Sequence, residues 1–105
     1  MKRLKTWGKR TFFEYEDSDS SKINIYYGAD LKWKVELFKK DYEKLIKEFE
    51  GKTVPIGTSL DKPPTGSVGE WIIKNLRTSQ IAYILGAILV EDGYATKKGS
   101  EIIFK

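Results

Sequence analysis

The stretch that decides the fold is Ile81-Ala82-Tyr83-Ile84-Leu85-Gly86-Ala87-Ile88-Leu89-Val90, which is apolar on nearly every side of the helix that it predicts. A helix without a polar face has to be covered on more than one side. The run of ten residues is too short to cross a bilayer. We therefore expect it to be the buried helix of a globular protein.

Capping and turn signals surround this helix. Ser67-Val68-Gly69-Glu70 is a capping box, which predicts that another helix begins there. Thr78 or Ser79 is a candidate cap for the apolar helix, which we expect to span residues 78–91. Beyond that helix, Lys97-Lys98-Gly99-Ser100 is the predicted tip of a β-hairpin.

The first part of the chain has strand-like periodicity. Alternation over residues 10–38 predicts three strands separated by turns, which form an antiparallel meander with one buried face. An amphipathic helix then ends at Gly51, and Thr53-Val54-Pro55-Ile56 is a candidate edge strand because proline is tolerated at edges. The residues expected on the buried face of the meander are Phe13, Tyr15, Ile23, Ile25, Leu31, Trp33, Val35 and Leu37.

The predicted fold class is α+β, in a single domain of 105 residues. We expect a basic N-terminal arm at 1–9, a three-stranded β-meander at 10–38, and a unit of helix, short strand, helix, helix and β-hairpin at 39–105.

The order of elements in residues 39–104 resembles the winged helix-turn-helix arrangement. The resemblance rests on the capped second helix, the Arg77-Thr78-Ser79 turn, the helix end at Leu89-Val90-Glu91-Asp92-Gly93-Tyr94 and the hairpin tip. It implies that helix 78–91 is the third helix, which normally enters the major groove of DNA, and that the hairpin is the wing.

The apolar helix departs from that arrangement. No lysine or arginine occurs within residues 78–92, and only Gln80 is suited to reading a base in the usual way. The face opposite its core-facing residues carries Tyr83, Gly86, Ala87 and Val90. Small residues allow a close backbone approach, so this face either packs on the meander of the same chain or forms a homodimer contact.

Positive charge is concentrated at the N-terminus. The chain has 19 basic and 15 acidic residues, and residues 1–10 carry five bases and no acid. Basic groups beside exposed rings suit phosphate contacts combined with base stacking. The candidate nucleic-acid-binding residues are Lys2, Arg3, Lys5, Lys9 and Arg10 in the arm, Lys97 and Lys98 at the hairpin tip, and Tyr26, Lys32 and Lys34, with Phe12, on the outward strand face. Glutamates share that face, so cross-strand charge pairing is the alternative explanation for its lysines.

The composition argues against catalysis. The chain has no cysteine and no histidine, which leaves neither a thiolate site nor the usual general base and makes a zinc site unfavourable. The loop at residues 57–67 lacks the spacing of a phosphate-binding P-loop.

We therefore expect a non-enzymatic binding protein of the cytoplasm, without a catalytic site, cofactor, metal or membrane partner. In this hypothesis it is an accessory or regulatory factor that contacts nucleic acid non-specifically through its arm and wing. The alternative is a protein-interaction or structural module that forms a homodimer through Tyr83, Gly86, Ala87 and Val90.

Overall fold

Two antiparallel sheets and three α-helices make up the part of the chain that the computed structural model describes, which is residues 1–76, 78 and 80–105. The strands are β1 (Lys2–Lys5), β2 (Phe12–Glu16), β3 (Lys22–Tyr27), β4 (Trp33–Phe38), β5 (Thr53–Pro55), β6 (Ala95–Lys98) and β7 (Glu101–Phe104). The helices are α1 (Lys39–Phe49), α2 (Val68–Asn75) and α3 (Ala82–Glu91), and a short 3-10 turn spans Ala29–Leu31. The predicted α+β class is confirmed.

The first sheet is a meander of four strands in the order β1-β2-β3-β4, whereas the sequence predicted three. The additional strand, β1, comes from the segment expected to be a free arm, and it pairs antiparallel with β2. Leu4 lies opposite Phe13 and packs against the core, while Arg3 lies opposite Glu14 and bonds to its carboxylate at 2.7 Å. These two cross-strand pairs explain why a strongly basic segment forms a strand.

The predicted buried face of the meander is largely confirmed. Phe13, Tyr15, Ile23, Ile25 and Leu37 are buried, and Val35 is partly buried against the same core.

The prediction was wrong for Leu31 and Trp33. Leu31 belongs to the 3-10 turn, and Trp33 is 57% exposed. The chain leaves β3 through Gly28 and keeps a left-handed backbone at Asp30 and Leu31, so β4 begins only at Trp33. The indole lies against Gly28, where an added Cβ would be 2.3 Å from Trp33 Cδ1.

The second sheet has the order β5-β7-β6 and includes the predicted edge strand and hairpin. The predicted capping box at the start of α2 is also present. Ser67 Oγ accepts a hydrogen bond from the Glu70 N–H at 3.1 Å, and the Glu70 carboxylate accepts one from the Gly66 N–H at 2.9 Å. In a standard capping box the glutamate accepts from the N–H of the cap residue itself, whereas here the donor is Gly66, the residue before the cap.

Helix α3 is the buried helix that the sequence predicted, but it begins at Ala82 and not near residue 78. The N-cap residue, Ile81, makes no side-chain hydrogen bond, and the N–H of Ala82 donates instead to the side-chain oxygen of Gln80. Of the predicted capping residues, Thr78 lies before the helix and Ser79 is outside the described residues, as is Arg77 of the predicted turn.

Helix α3 packs against β1 of the first sheet, β6 of the second sheet and α2. Its fully buried side chains are Ala82, Ile84, Leu85, Ile88 and Leu89. No helix among the described residues is both long enough and apolar enough to span a membrane.

Candidate nucleic-acid interface

Basic residues gather at one end of the first sheet, where β1 and β3 finish and β2 and β4 begin. The segments that form this end, residues 3–14 and 26–34, contain six basic and two acidic residues. The segments toward the opposite end, residues 15–25 and 35–41, contain three basic and five acidic residues. We call the first of these the basic end. Its basic residues are Arg3, Lys5, Lys9, Arg10, Lys32 and Lys34.

A row of four side chains crosses the outer face of the sheet near this end. Arg3, Glu14, Tyr26 and Lys34 occupy directly opposite positions on successive strands. Since strands lie about 4.8 Å apart, the row spans about 14 Å. The Arg3 guanidinium is bound to Glu14, whereas Lys34, one of the lysines for which charge pairing was the alternative explanation, has no ion-pair partner among the described residues. The Lys34 ammonium instead lies 5.7 Å from the centre of the Tyr26 ring.

Two large rings at the basic end are exposed to solvent and each has a cation over its face. The Arg3 guanidinium lies 4.3 Å from the centre of the Phe12 ring, which is 44% exposed. The Lys32 ammonium lies 5.6 Å from the Trp33 ring. Sequence reasoning placed Trp33 in the core because alternation does not distinguish a core position from one at the end of a strand.

A cleft of about 700 Å³ lies beside the Phe12 ring. It is formed by the β1–β2 loop, the β3–β4 turn and the first turn of α3. Its walls include the rings of Phe12, Tyr27 and Tyr83 and the charged side chains of Arg10 and Asp30. Burial raises the pKa of Tyr83, and the adjacent Tyr27 adds to that effect. The Tyr83 phenol is therefore neutral at physiological pH.

The turn that borders the cleft has an unusual backbone. Asp30 and Leu31 have φ angles of 56° and 53°, in the left-handed region. Such a conformation is unfavourable for a leucine by about 1–2 kcal/mol, and conformations of this kind cluster at ligand-binding sites. Asp30 and Tyr27 were absent from the predicted site, since only the folded turn brings them beside Tyr83.

The β1–β2 loop is fixed to the hairpin through Trp7. The Trp7 backbone N–H donates to the Tyr83 carbonyl at 2.8 Å, and its indole N–H donates to the Gly99 carbonyl at 3.0 Å. The Lys97 ammonium donates to the Trp7 carbonyl and lies 5.0 Å from the ring centre. Lys97 and Lys9, predicted in separate segments, therefore line one groove of about 150 Å³.

The four residues predicted as a dimer contact lie on the side of α3 that faces this loop. Gly86 is buried beneath Trp7, and a Cβ added there would be 2.6 Å from Trp7 Cε3. Tyr83 and Ala87 are partly buried against the core, and Val90 is 36% exposed. The chain's own Trp7 thus covers the centre of this face.

Three further residues singled out from the sequence lie away from the basic end. Lys2 is at the far end of β1, opposite Tyr15, and Lys98 is on the second sheet, opposite Glu101. The Gln80 side chain is buried, and its amide group donates to the carbonyls of Gly57 and Ser59 at 2.9 and 2.6 Å. It is a structural residue that joins the 57–67 loop to α3.

Within the part of the chain that the structure describes, no three acidic side chains are grouped so that they could hold a metal ion. No known protein family, no curated protein and no solved structure matches this chain.

Proposed function

We propose that the protein is a non-enzymatic accessory or regulatory factor that binds single-stranded nucleic acid at the basic end of its first sheet. The observation that carries this proposal is the presence of two exposed rings, Phe12 and Trp33, each with a cation over its face, at the end of the sheet where further basic residues lie. Positive charge attracts the phosphate backbone, and exposed rings stack on bases.

A single strand suits this surface better than a duplex. Bases in a duplex are stacked on each other, so their faces are closed to protein rings, whereas bases in a single strand are open. The winged-helix resemblance would assign helix α3 to the major groove, but Gln80, which precedes this helix, is buried and Gly86 of the helix lies under Trp7. In our proposal the nucleic acid therefore contacts the first sheet and not α3.

Weak sequence preference is expected for most of this surface. The chain has far fewer arginines than lysines, and one of its three arginines, Arg3, is bound to Glu14. Lysine acts as a point charge toward phosphate, whereas arginine is favoured for bidentate recognition of bases.

The experiment is an anisotropy titration of a labelled oligothymidine of about 15 nucleotides at low salt, a length within the usual site size of such proteins. We expect Phe12→Ala and Trp33→Ala each to weaken binding by about tenfold, because loss of one stacked base is worth about 1–3 kcal/mol. Leu60→Ala is the matched control, since Leu60 is 70% exposed and lies in the loop after β5. An absence of binding at micromolar protein, or equal affinity of all three variants, would refute the proposal.

The alternative hypothesis of a homodimer through Tyr83, Gly86, Ala87 and Val90 has less support, because Trp7 already occupies the space above Gly86. Sedimentation of the wild-type protein as a monomer would remove it.

A further inference from the structure

We infer that the cleft beside the basic end receives one unstacked base of the bound strand and that Asp30 makes guanine the preferred base there. This inference rests on the proposed function, and it adds a base-selective site to a surface that otherwise binds without regard to sequence.

The size and walls of the cleft suit a nucleobase. Its volume of about 700 Å³ lies within the range of about 300–1,000 Å³ that is usual for small-molecule sites. Three aromatic residues from three different segments line it: Phe12 at the start of β2, Tyr27 at the end of β3 and Tyr83 on α3. Proteins that read single strands commonly stack a splayed base on such rings.

Asp30 supplies the base-selective group. Its carboxylate accepts hydrogen bonds only, and it makes neither a hydrogen bond nor an ion pair with any other residue in the described part of the chain. The left-handed backbone at Asp30 holds it in the turn that borders the cleft. A carboxylate in this place selects a base with donors on its pairing edge.

Guanine is the base that matches a carboxylate best. Its pairing edge has two adjacent donors, the N1–H and the 2-amino group, which the two carboxylate oxygens accept together. Adenine and cytosine have one amino donor beside an acceptor nitrogen, and thymine and uracil place a carbonyl on each side of their single N–H. In each of these bases an acceptor atom would face a carboxylate oxygen, and two acceptors repel each other.

Arg10 supplies the charge for the adjoining phosphate. It lines the same cleft, and among the described residues its guanidinium is also without a hydrogen-bond or ion-pair partner. Since Arg10 and Asp30 do not form an ion pair with each other, the two charges remain available for different parts of one nucleotide.

The test uses oligothymidine as host and compares a single central guanine with thymine, adenine or cytosine at that position. For the wild-type protein we expect the guanine oligonucleotide to bind about five- to tenfold more tightly than the all-thymine one. This ratio is near the low end of the discrimination that a bidentate contact gives, because Asp30 is exposed to water. The readout is the ratio of the two affinities, since loss of any acid strengthens binding to all strands.

Three variants sharpen the comparison. Asp30→Asn keeps a residue that tolerates the left-handed backbone and should reduce the ratio to about one. Ala29→Leu, which adds apolar bulk to the wall of the cleft without a change of charge, should also lower the ratio. Asp17→Asn removes an acid beyond the far end of β2 and should leave the ratio unchanged.

The outcomes separate the inference from the proposed function. If all oligonucleotides bind with equal, salt-sensitive affinity in the wild type, the guanine site is refuted and the stacking surface stands. If the preference for guanine persists in both Asp30→Asn and Ala29→Leu, it originates elsewhere and the inference is wrong. If no oligonucleotide binds, both fail.

Discussion

Gly86 is the residue at which the packing of the central helix α3 is most constrained. An added Cβ would lie 2.6 Å from Trp7 Cε3 and 2.7 Å from Ile56 Cδ1, both closer than real contacts of a Cβ. The glycine is needed for the close approach of these side chains and not for an unusual backbone angle. It allows the β1–β2 loop to close over the helix.

Overpacking a core costs about 1–3 kcal/mol, and three contacts of 3.0 Å or less place Gly86→Ala toward the upper part of that range. The gain in helix propensity of about 1 kcal/mol offsets part of this cost, so the free energy of unfolding should fall by about 1–2 kcal/mol. Gly8→Ala is the control, because no atom lies within 4 Å of an added Cβ there. Urea denaturation measures both variants, and a Gly86→Ala protein as stable as the wild type would contradict the packing described.

Two buried tyrosines differ in how their hydroxyl groups are satisfied. The Tyr42 phenol donates to the Asp92 carboxylate at 2.8 Å, whereas the Tyr15 phenol has no hydrogen-bond partner among the described residues. Burial raises the pKa of Tyr15 to about 12, with a smaller contribution from the charge of Asp92. Burial and the bond to Asp92 also raise the pKa of Tyr42.

The two phenylalanine variants should have different effects. Tyr42→Phe loses a hydrogen bond to a charged group and should destabilise the protein by about 1–2 kcal/mol. Tyr15→Phe removes an unpaired buried hydroxyl and should leave stability unchanged or raise it by about 1 kcal/mol.

The raised pKa of Tyr15 also makes the free energy of unfolding depend on pH in the alkaline range. An unfolded tyrosine loses its proton near pH 10, while folded Tyr15 keeps it to about pH 12, so the unfolded state binds fewer protons between these values and stability falls as pH rises. Tyr15→Phe should reduce that fall. Urea titrations of the wild type and both variants at neutral and alkaline pH test these expectations, and a steeper alkaline loss in Tyr15→Phe would contradict them.

At the scale of elements, β1 is the main departure from the sequence prediction. It has a single inward apolar residue, Leu4, between basic residues, so its alternation resembles that of a charged tail. Only the pairing with β2, in which Leu4 lies opposite Phe13 and Arg3 opposite Glu14, makes it a strand. A cross-strand partner of this kind is not visible in local periodicity.

Amide hydrogen exchange distinguishes a strand from a free arm. Alternate amides of β1 should be protected, because a strand at a sheet edge has a hydrogen-bonded neighbour on one side. The turn at residues 17–20, between β2 and β3, is the internal reference for rapid exchange. Exchange of all β1 amides at the rate of that turn would show that residues 2–5 are an arm after all.

Other elements were predictable because their signals are local. The capping box at Ser67, the edge strand with Pro55 and the apolar helix α3 each depend on neighbouring residues alone. The cover of α3 by Trp7 and the exposure of Trp33 depend on contacts between distant segments, which a single sequence does not specify. The cleft was missed for the same reason, since its walls come from three separate segments.

At the scale of the whole molecule, the fold turns a modest excess of positive charge into an asymmetric surface. The net charge is only +4, yet six bases and two acids lie in the segments that form one end of the first sheet. The β1–β2 loop is held in place by Trp7, which bonds to Gly99 and Lys97 of the hairpin and to Tyr83 of α3. This packing gives the basic residues of β1 and its loop a fixed position beside the exposed rings.

The most direct test of the central claim is the salt dependence of binding to oligothymidine, measured for the wild type, Lys34→Gln and Trp33→Ala. For about four neutralised phosphates, the logarithm of the association constant should fall with the logarithm of salt concentration with a slope of about −3. Lys34→Gln should reduce the slope by about 0.7, whereas Trp33→Ala should weaken binding at every salt concentration with the slope unchanged, because the ring carries no charge. Absence of binding at low salt, or identical curves for all three proteins, would contradict the account.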